Sequence, residues 1–170
     1  MKNLVFLFLF VFCSYNSFSQ LNDIAVTHFI CAVGKQTNKD YKGAIDEYTK
    51  AIQYFPNYYY AYFYRGIAKI KTNDKTGAMN DLNAAIQMNP NYLEAYINRA
   101  ILFNNAGNNI AALNDLNMAI SLDSKNNFAY YYRAMVKKNL MDNKNACNDM
   151  KQALLLGNAE AKGQIDKYCK

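Results

Sequence analysis

Proline occurs only twice in this chain of 170 residues, and glycine seven times. So few breakers argue against a turn-rich β architecture and favour helices. Histidine occurs once, at His28. The chain has no C-x-x-C, no H-E-x-x-H, no glycine-rich phosphate loop and no metal-ligand cluster. These gaps remove the usual sites for metal, cofactor and nucleophile, so the expectation is a non-enzymatic protein with no cofactor. Long apolar runs are missing after residue 20, which leaves no transmembrane segment in a mature chain. Disorder is excluded by composition, with 52% hydrophobic and 19% charged residues. A net charge of +6 and a pI near 9.0 point toward nucleic acid. The lysines, however, are scattered singly or in pairs such as Lys137-Lys138, so no nucleic-acid partner is expected.

The first nineteen residues read as a separate object. Lys2 gives a positive start, Leu4 to Phe12 is an unbroken apolar run, and Ser17-Phe18-Ser19 offers small residues around a cleavage point before Gln20. This is the pattern of a secretory signal peptide. A membrane anchor is the competing reading, but the run is about half of the ~20 residues a spanning helix needs. Lipid attachment at Cys13 wants a small residue before it, where the chain has Phe12. Residues 20–24 read as a short linker. Removing Lys2 lowers the charge from +6 to +5 and leaves Cys31, Cys147 and Cys169. An oxidising compartment then permits one disulfide and leaves one thiol over.

What the chain does have is a period. Ala61-Tyr62 with Arg65-Gly66 recurs as Ala95-Tyr96 with Arg99-Ala100, and again as Ala129-Tyr130 with Arg133-Ala134, each step being 34 residues. A second motif keeps the same step: Ala44, Tyr48 and Ala51, then Ala78, Leu82 and Ala85, then Ala112, Leu116 and Ala119, then Ala146, Met150 and Ala153. Pro56 and Pro90 follow the period too. Within each copy the apolar residues recur at three- and four-residue steps, the mark of amphipathic helices. Asn73-Asp74, Asn108 and Asp142 read as turns and helix starts between the two helices of a copy. Small residues at Gly66, Ala78 and Ala85 allow close approach of the paired helices. A single pair cannot bury its apolar face, whereas stacked pairs share a core.

These motifs resemble the tetratricopeptide repeat family, whose 34-residue pattern places aromatic, small and proline residues at matching positions. The resemblance implies an all-α fold, a right-handed α-solenoid of four helix-turn-helix units at 25–58, 59–92, 93–126 and 127–160. A capping helix over 158–170 is expected, because Ala161, Ile165 and Tyr168 share one helical face. Here tyrosine replaces the family's tryptophan, and arginine replaces its leucine in three units. The first unit departs furthest, with His28 in the aromatic slot, expected to pack, and Cys31 in the arginine slot, expected on the core side as a small hydrophobe.

Each arginine is followed sixteen residues later by an aspartate, which points to structural ion pairs Arg65–Asp81, Arg99–Asp115 and Arg133–Asp149. Pairing across neighbouring units is the alternative. The first unit has Cys31 and Glu47 at the same two positions, losing both partners together. Cys147 and Cys169 lie 22 residues apart on the last repeat and the cap, where a disulfide would pin the end of the stack.

The remaining aromatic residues form a second stripe on the first helix of each unit. It carries Val26, Phe29 and Val33 in the first unit, then Tyr60, Phe63, Tyr64, Ile67 and Ile70 in the second. Glu94, Ile97 and Ile101 follow in the third, and Phe128, Tyr131, Tyr132 and Met135 in the fourth. In the family this stripe lines a concave groove, so the resemblance implies a partner protein or peptide held in an apolar, tyrosine-rich groove. The lysines and asparagines that clamp a carboxylate in some members are missing from it. Packing between units competes as a role for these rings, most strongly at Phe63 and Tyr131. A structural subunit of a cell-envelope complex and a carbohydrate-binding protein are the alternative functions. Resemblance to exported bacterial repeat proteins places the expected location in a periplasm or outside the cell, in a Gram-negative envelope.

Overall fold

The computed structural model describes the backbone of residues 2–169 and the side chains of residues 20–167 and 169. The side chains of the expected signal peptide, residues 1–19, and of Tyr168 in the expected cap lie outside them. Among the described residues the chain is all helix and turn, with no strand. The order is α1 (Lys2–Thr37), α2 (Tyr41–Tyr54), α3 (Tyr59–Lys71), α4 (Lys75–Met88), α5 (Leu93–Asn105), α6 (Asn109–Leu122), α7 (Asn127–Asn139), α8 (Asn143–Leu155) and α9 (Glu160–Tyr168). Residues 20–24 are a correction: they continue α1 and are no linker. No proline or glycine lies between Lys2 and Gly34, so nothing interrupts the backbone hydrogen bonds there. No helix among the described residues is long and apolar enough to cross a membrane.

Helix starts follow local chemistry. Asp40, Asn108 and Asp142 cap α2, α6 and α8 by accepting from backbone N–H groups three residues on, and Asp74 does the same for Gly77 at the start of α4. Such caps satisfy donors that the helix itself leaves open. One residue before each cap the chain enters the left-handed region, at Lys39, Asn73, Gly107 and Met141, with φ between 62° and 79°. These four positions also obey the 34-residue step, and only one is glycine.

The chain forms two compact units, Met1–Asp81 and Leu82–Lys170, with the boundary inside α4. In the first unit α1 packs on α2 and α2 on α3, around Ala32, Ala44, Tyr48, Ala51, Ala61 and Ala68. In the second, α5 to α8 pack in sequence order around Tyr96, Ile97, Ala100, Leu116 and Val136, and α9 closes on α8 around Ala134, Met150, Ala153 and Ala161. The alanine columns reach complete burial at nearly every copy, so helix backbones meet with only a methyl group between them. One column of larger side chains, Tyr48, Leu82, Leu116 and Met150, is buried in all four copies.

Candidate functional site

Three arginines fix the framework that carries the site. Arg65 donates from Nε and Nη2 to the two carboxylate oxygens of Asp81 at 2.9 and 2.7 Å. Arg99 does so to Asp115 at 2.8 and 2.7 Å, and Arg133 to Asp149 at 2.8 and 2.8 Å. The fork geometry of guanidinium and carboxylate makes these strong bonds. Each pair joins the two helices of one repeat. The third nitrogen, Nη1, reaches back to the preceding helix, donating to Thr49 at 3.1 Å, Asn83 at 2.8 Å and Asn117 at 2.9 Å. Tyr62, Tyr96 and Tyr130, three residues before each arginine, place a ring under its charge at 5.3–5.6 Å. Reasoning from sequence missed the Thr49, Asn83, Asn117 column. Its signal was present, since a short polar residue recurs there at the 34-residue step, sixteen before each arginine.

The first repeat solves the same problem with other groups. Glu47, in the aspartate position, is buried and takes His28 Nδ1 at 2.6 Å, Lys50 at 3.0 Å and Lys35 at 3.5 Å. His28 also stacks on Tyr54, with ring centroids 5.6 Å apart. The His28 bond first, and Lys50 next, draw the Glu47 carboxyl from its ordinary 4.5 down to about 2. Cys31 is a correction: it is exposed, not on the core side. Its slot lies at the edge of the helix contact, which a long arginine spans and a short thiol does not. Cys147 and Cys169 are joined as a disulfide with Cα atoms 5.5 Å apart, tying α9 to α8.

The second stripe divides in two. Phe63 and Ile97 are a correction to the groove, because both are buried, 6% and 7% exposed. Phe29, Tyr64, Ile67, Ile101, Tyr131, Tyr132 and Met135 are half-buried, while Tyr60 and Phe128 are exposed. Apart from Phe29, the half-buried set lines two open pockets. In the first unit a pocket of about 240 Å³ is walled by Val33 and Gln36 of α1, Tyr48 of α2, and Tyr64, Ile67 and Lys71 of α3. In the second unit a pocket of about 300 Å³ is walled by Ile101, Asn104 and Asn105 of α5, Leu116 of α6, Tyr131, Tyr132 and Met135 of α7, and Glu160 of α9. The walls correspond residue for residue at two 34-residue steps: Val33 with Ile101, Gln36 with Asn104, Tyr48 with Leu116, Tyr64 with Tyr132, Ile67 with Met135. The period therefore builds the same opening twice, between the first helices of successive repeats.

The rings cluster around these openings. Phe29 lies 5.7 Å from Tyr64, and Tyr48 lies 6.2 Å from Tyr64 in a stack. Tyr131 and Tyr132 meet edge to face at 5.5 Å. Burial pushes the Tyr48 and Tyr131 hydroxyls up from their ordinary value, with Glu160 and Tyr132 adding to the effect at Tyr131. These phenols stay neutral, so at neutral pH they serve as donors and apolar faces. Among the described residues no group of His, Cys, Asp and Glu is arranged to hold a metal.

No family model matches the sequence, and no curated protein matches it. Solved structures do match by shape. MamA superposes with a TM-score of 0.74 at 21% identity, over 81% of this chain and 81% of that one. YrrB, described as a TPR protein with an unusual peptide-binding site, gives 0.74 at 18% identity over 84% of this chain and 74% of its own. TTC0263, a TPR protein of Thermus thermophilus, gives 0.68 at 18% identity over 78% and 74%. The fold of this chain is that of the tetratricopeptide repeat proteins, an all-α solenoid of helical hairpins.

Proposed function

We propose that this chain is a non-enzymatic interaction module that holds an extended segment of a partner protein against its tyrosine-rich stripe. The observation that carries this reading is the pair of register-equivalent pockets, at Tyr64 and Ile67 and again at Tyr132 and Met135. Within each unit the opening lies between two aromatic-bearing first helices, a setting that suits an extended segment of a partner. Half-buried aromatic rings supply contact area at low entropy cost, and they are the residue type on which binding energy concentrates. The peptide-binding site of YrrB supports a peptide as ligand on this fold.

We also propose that the module acts after export, in a periplasm or outside the cell. The signal-peptide pattern of residues 1–19 supports this, as does the Cys147–Cys169 disulfide, which belongs to an oxidising compartment. Association with an envelope complex is the corresponding setting for its partner.

The test is binding to an arrayed peptide library by the intact chain and by Tyr64→Ala and Tyr132→Ala variants with unchanged circular dichroism. Peptides bound by the parent are expected to lose about ten-fold or more in affinity with either variant, since a buried aromatic anchor is worth ~2 kcal/mol or more. Peptides that bind both variants as well as the parent would move the site off the stripe.

A further inference from the structure

The two pockets share a framework but differ in charge. The first-unit pocket has Lys71 in its wall and no carboxylate. The second-unit pocket has Glu160, and no lysine or arginine lines it. Glu160 sits in the first turn of α9, exposed, and no cation among the described residues pairs with its carboxylate. Its negative charge reaches the Tyr131 ring, whose hydroxyl it helps to raise. Tyr131 and Tyr132 stand with ring planes 80° apart, so an entering group meets two aromatic walls of different orientation. Met135 adds a polarizable thioether to the same wall.

We propose that the second-unit pocket is a subsite for a cationic side chain, a lysine or arginine of the bound partner segment. The inference rests on the peptide-binding reading and adds the chemistry of one position to it. Aromatic faces attract a cation through their quadrupole when it approaches within ~6 Å of a ring centroid. An unpaired carboxylate at the rim supplies the counter-charge, and the half-buried rings beside it weaken the screening of a cation seated among them. The aliphatic stem of lysine or arginine fits along Ile101 and Met135 while its head reaches Glu160. A volume of about 300 Å³ lies at the small end of ligand pockets, the size for one long side chain. Asn104 accepts from Asn139 through Oδ1 at 2.8 Å, which leaves its amide N–H groups to the partner's backbone. The net charge of +6 opposes a cation at long range, but that field fades within ~8 Å at physiological salt, whereas the pocket contacts are direct.

The test uses the intact chain with its methionines carrying a 13C methyl group. Nα-acetyl-lysine amide, Nα-acetyl-arginine amide and neutral Nα-acetyl-norleucine amide are titrated while the Met135 methyl resonance is followed. The expected result is a saturable shift with at least one of the two cations and a response at least five-fold weaker with norleucine. Glu160→Gln should weaken the cation titration by about five-fold, and added salt should weaken it further in the parent alone. Tyr131→Leu, checked for fold by circular dichroism, should do the same. Equal response to norleucine, or an unchanged cation titration in Glu160→Gln, overturns the subsite. Library peptides that bind through the stripe without favouring lysine or arginine would overturn the subsite and leave the peptide-binding reading standing. A cation shift at Met135 with no library peptide bound would do the reverse.

Discussion

Replacing Asp115 by alanine tests the framework most directly. Asp115 is 6% exposed and receives two bonds from Arg99, at 2.8 and 2.7 Å. Breaking a buried pair by deleting one partner costs ~3–5 kcal/mol, most of it from the charge left behind. Here the orphan is not fully stranded. The Arg99 side chain is 20% exposed, keeps its bond to Asn83 at 2.8 Å, and keeps the Tyr96 ring beneath it. Those three reliefs bring the expected loss to or just below the bottom of that range, about 2–3 kcal/mol. For a chain of this length that is a fall of roughly 4–12 °C in the unfolding midpoint. The repeat supplies an internal scale. Asp81 also holds Lys69 at 2.9 Å, and Asp149 also holds Lys137 at 2.6 Å, so removing either strands two cations. Asp81→Ala and Asp149→Ala should therefore cost more than Asp115→Ala. Thermal unfolding by circular dichroism reads all three, and the Arg99→Ala/Asp115→Ala cycle isolates the pair. An Asp115→Ala loss below about 0.5 kcal/mol, the ordinary surface value, would refute the reasoning. So would a smaller loss in Asp81→Ala than in Asp115→Ala.

Three further outcomes are expected. Glu47 binds its proton more weakly in the folded chain than in the unfolded one, so its contribution is present above pH 4.5 and fades as pH falls toward about 2. Glu47→Gln should flatten the parent's loss of midpoint over that window, and an unchanged acid limb would contradict the assignment. Met141→Gly should raise stability by about 0.5–1 kcal/mol and Gly107→Ala should lower it by about 1 kcal/mol, since both positions lie at positive φ. Urea unfolding checks both signs. Reducing the Cys147–Cys169 bond, which closes a 22-residue span, removes about 3 kcal/mol of loop-closure restraint. Hydrogen exchange should then quicken in α9 and not in α2 and α3, whereas unchanged α9 protection would count against it.

The period and the helix pairs were legible because they depend on local pattern: apolar residues three and four apart, caps at Asp74, Asn108 and Asp142, and almost no proline. The arginine–aspartate step was legible for the same reason, as two complementary charges kept one spacing in three copies. Other features depend on what stands opposite a side chain. Phe63 and Tyr64 are neighbours on one helix, yet the first is buried and the second lines a pocket. The way the next helix crosses decides between them, and a helical wheel does not carry that angle. Cys31 was misplaced because a slot that buries the stem of an arginine does not bury a shorter side chain. Residues 20–24 follow a cleavage pattern, which suggests a linker, yet nothing in them breaks a helix and α1 runs through them.

The double reach of the arginines bears on how the chain acquires its structure during synthesis. Thr49, Asn83 and Asn117 precede their arginines by sixteen residues, and the aspartates follow by sixteen. A chain growing from its N-terminus therefore meets the neutral partner first, and the guanidinium waits with its charge unanswered until the second helix of its own repeat emerges. In these three repeats the partner that completes the framework is therefore always the later of the two to be made, so a chain cut short within the second helix, before its aspartate, would leave its last arginine charged and without its carboxylate.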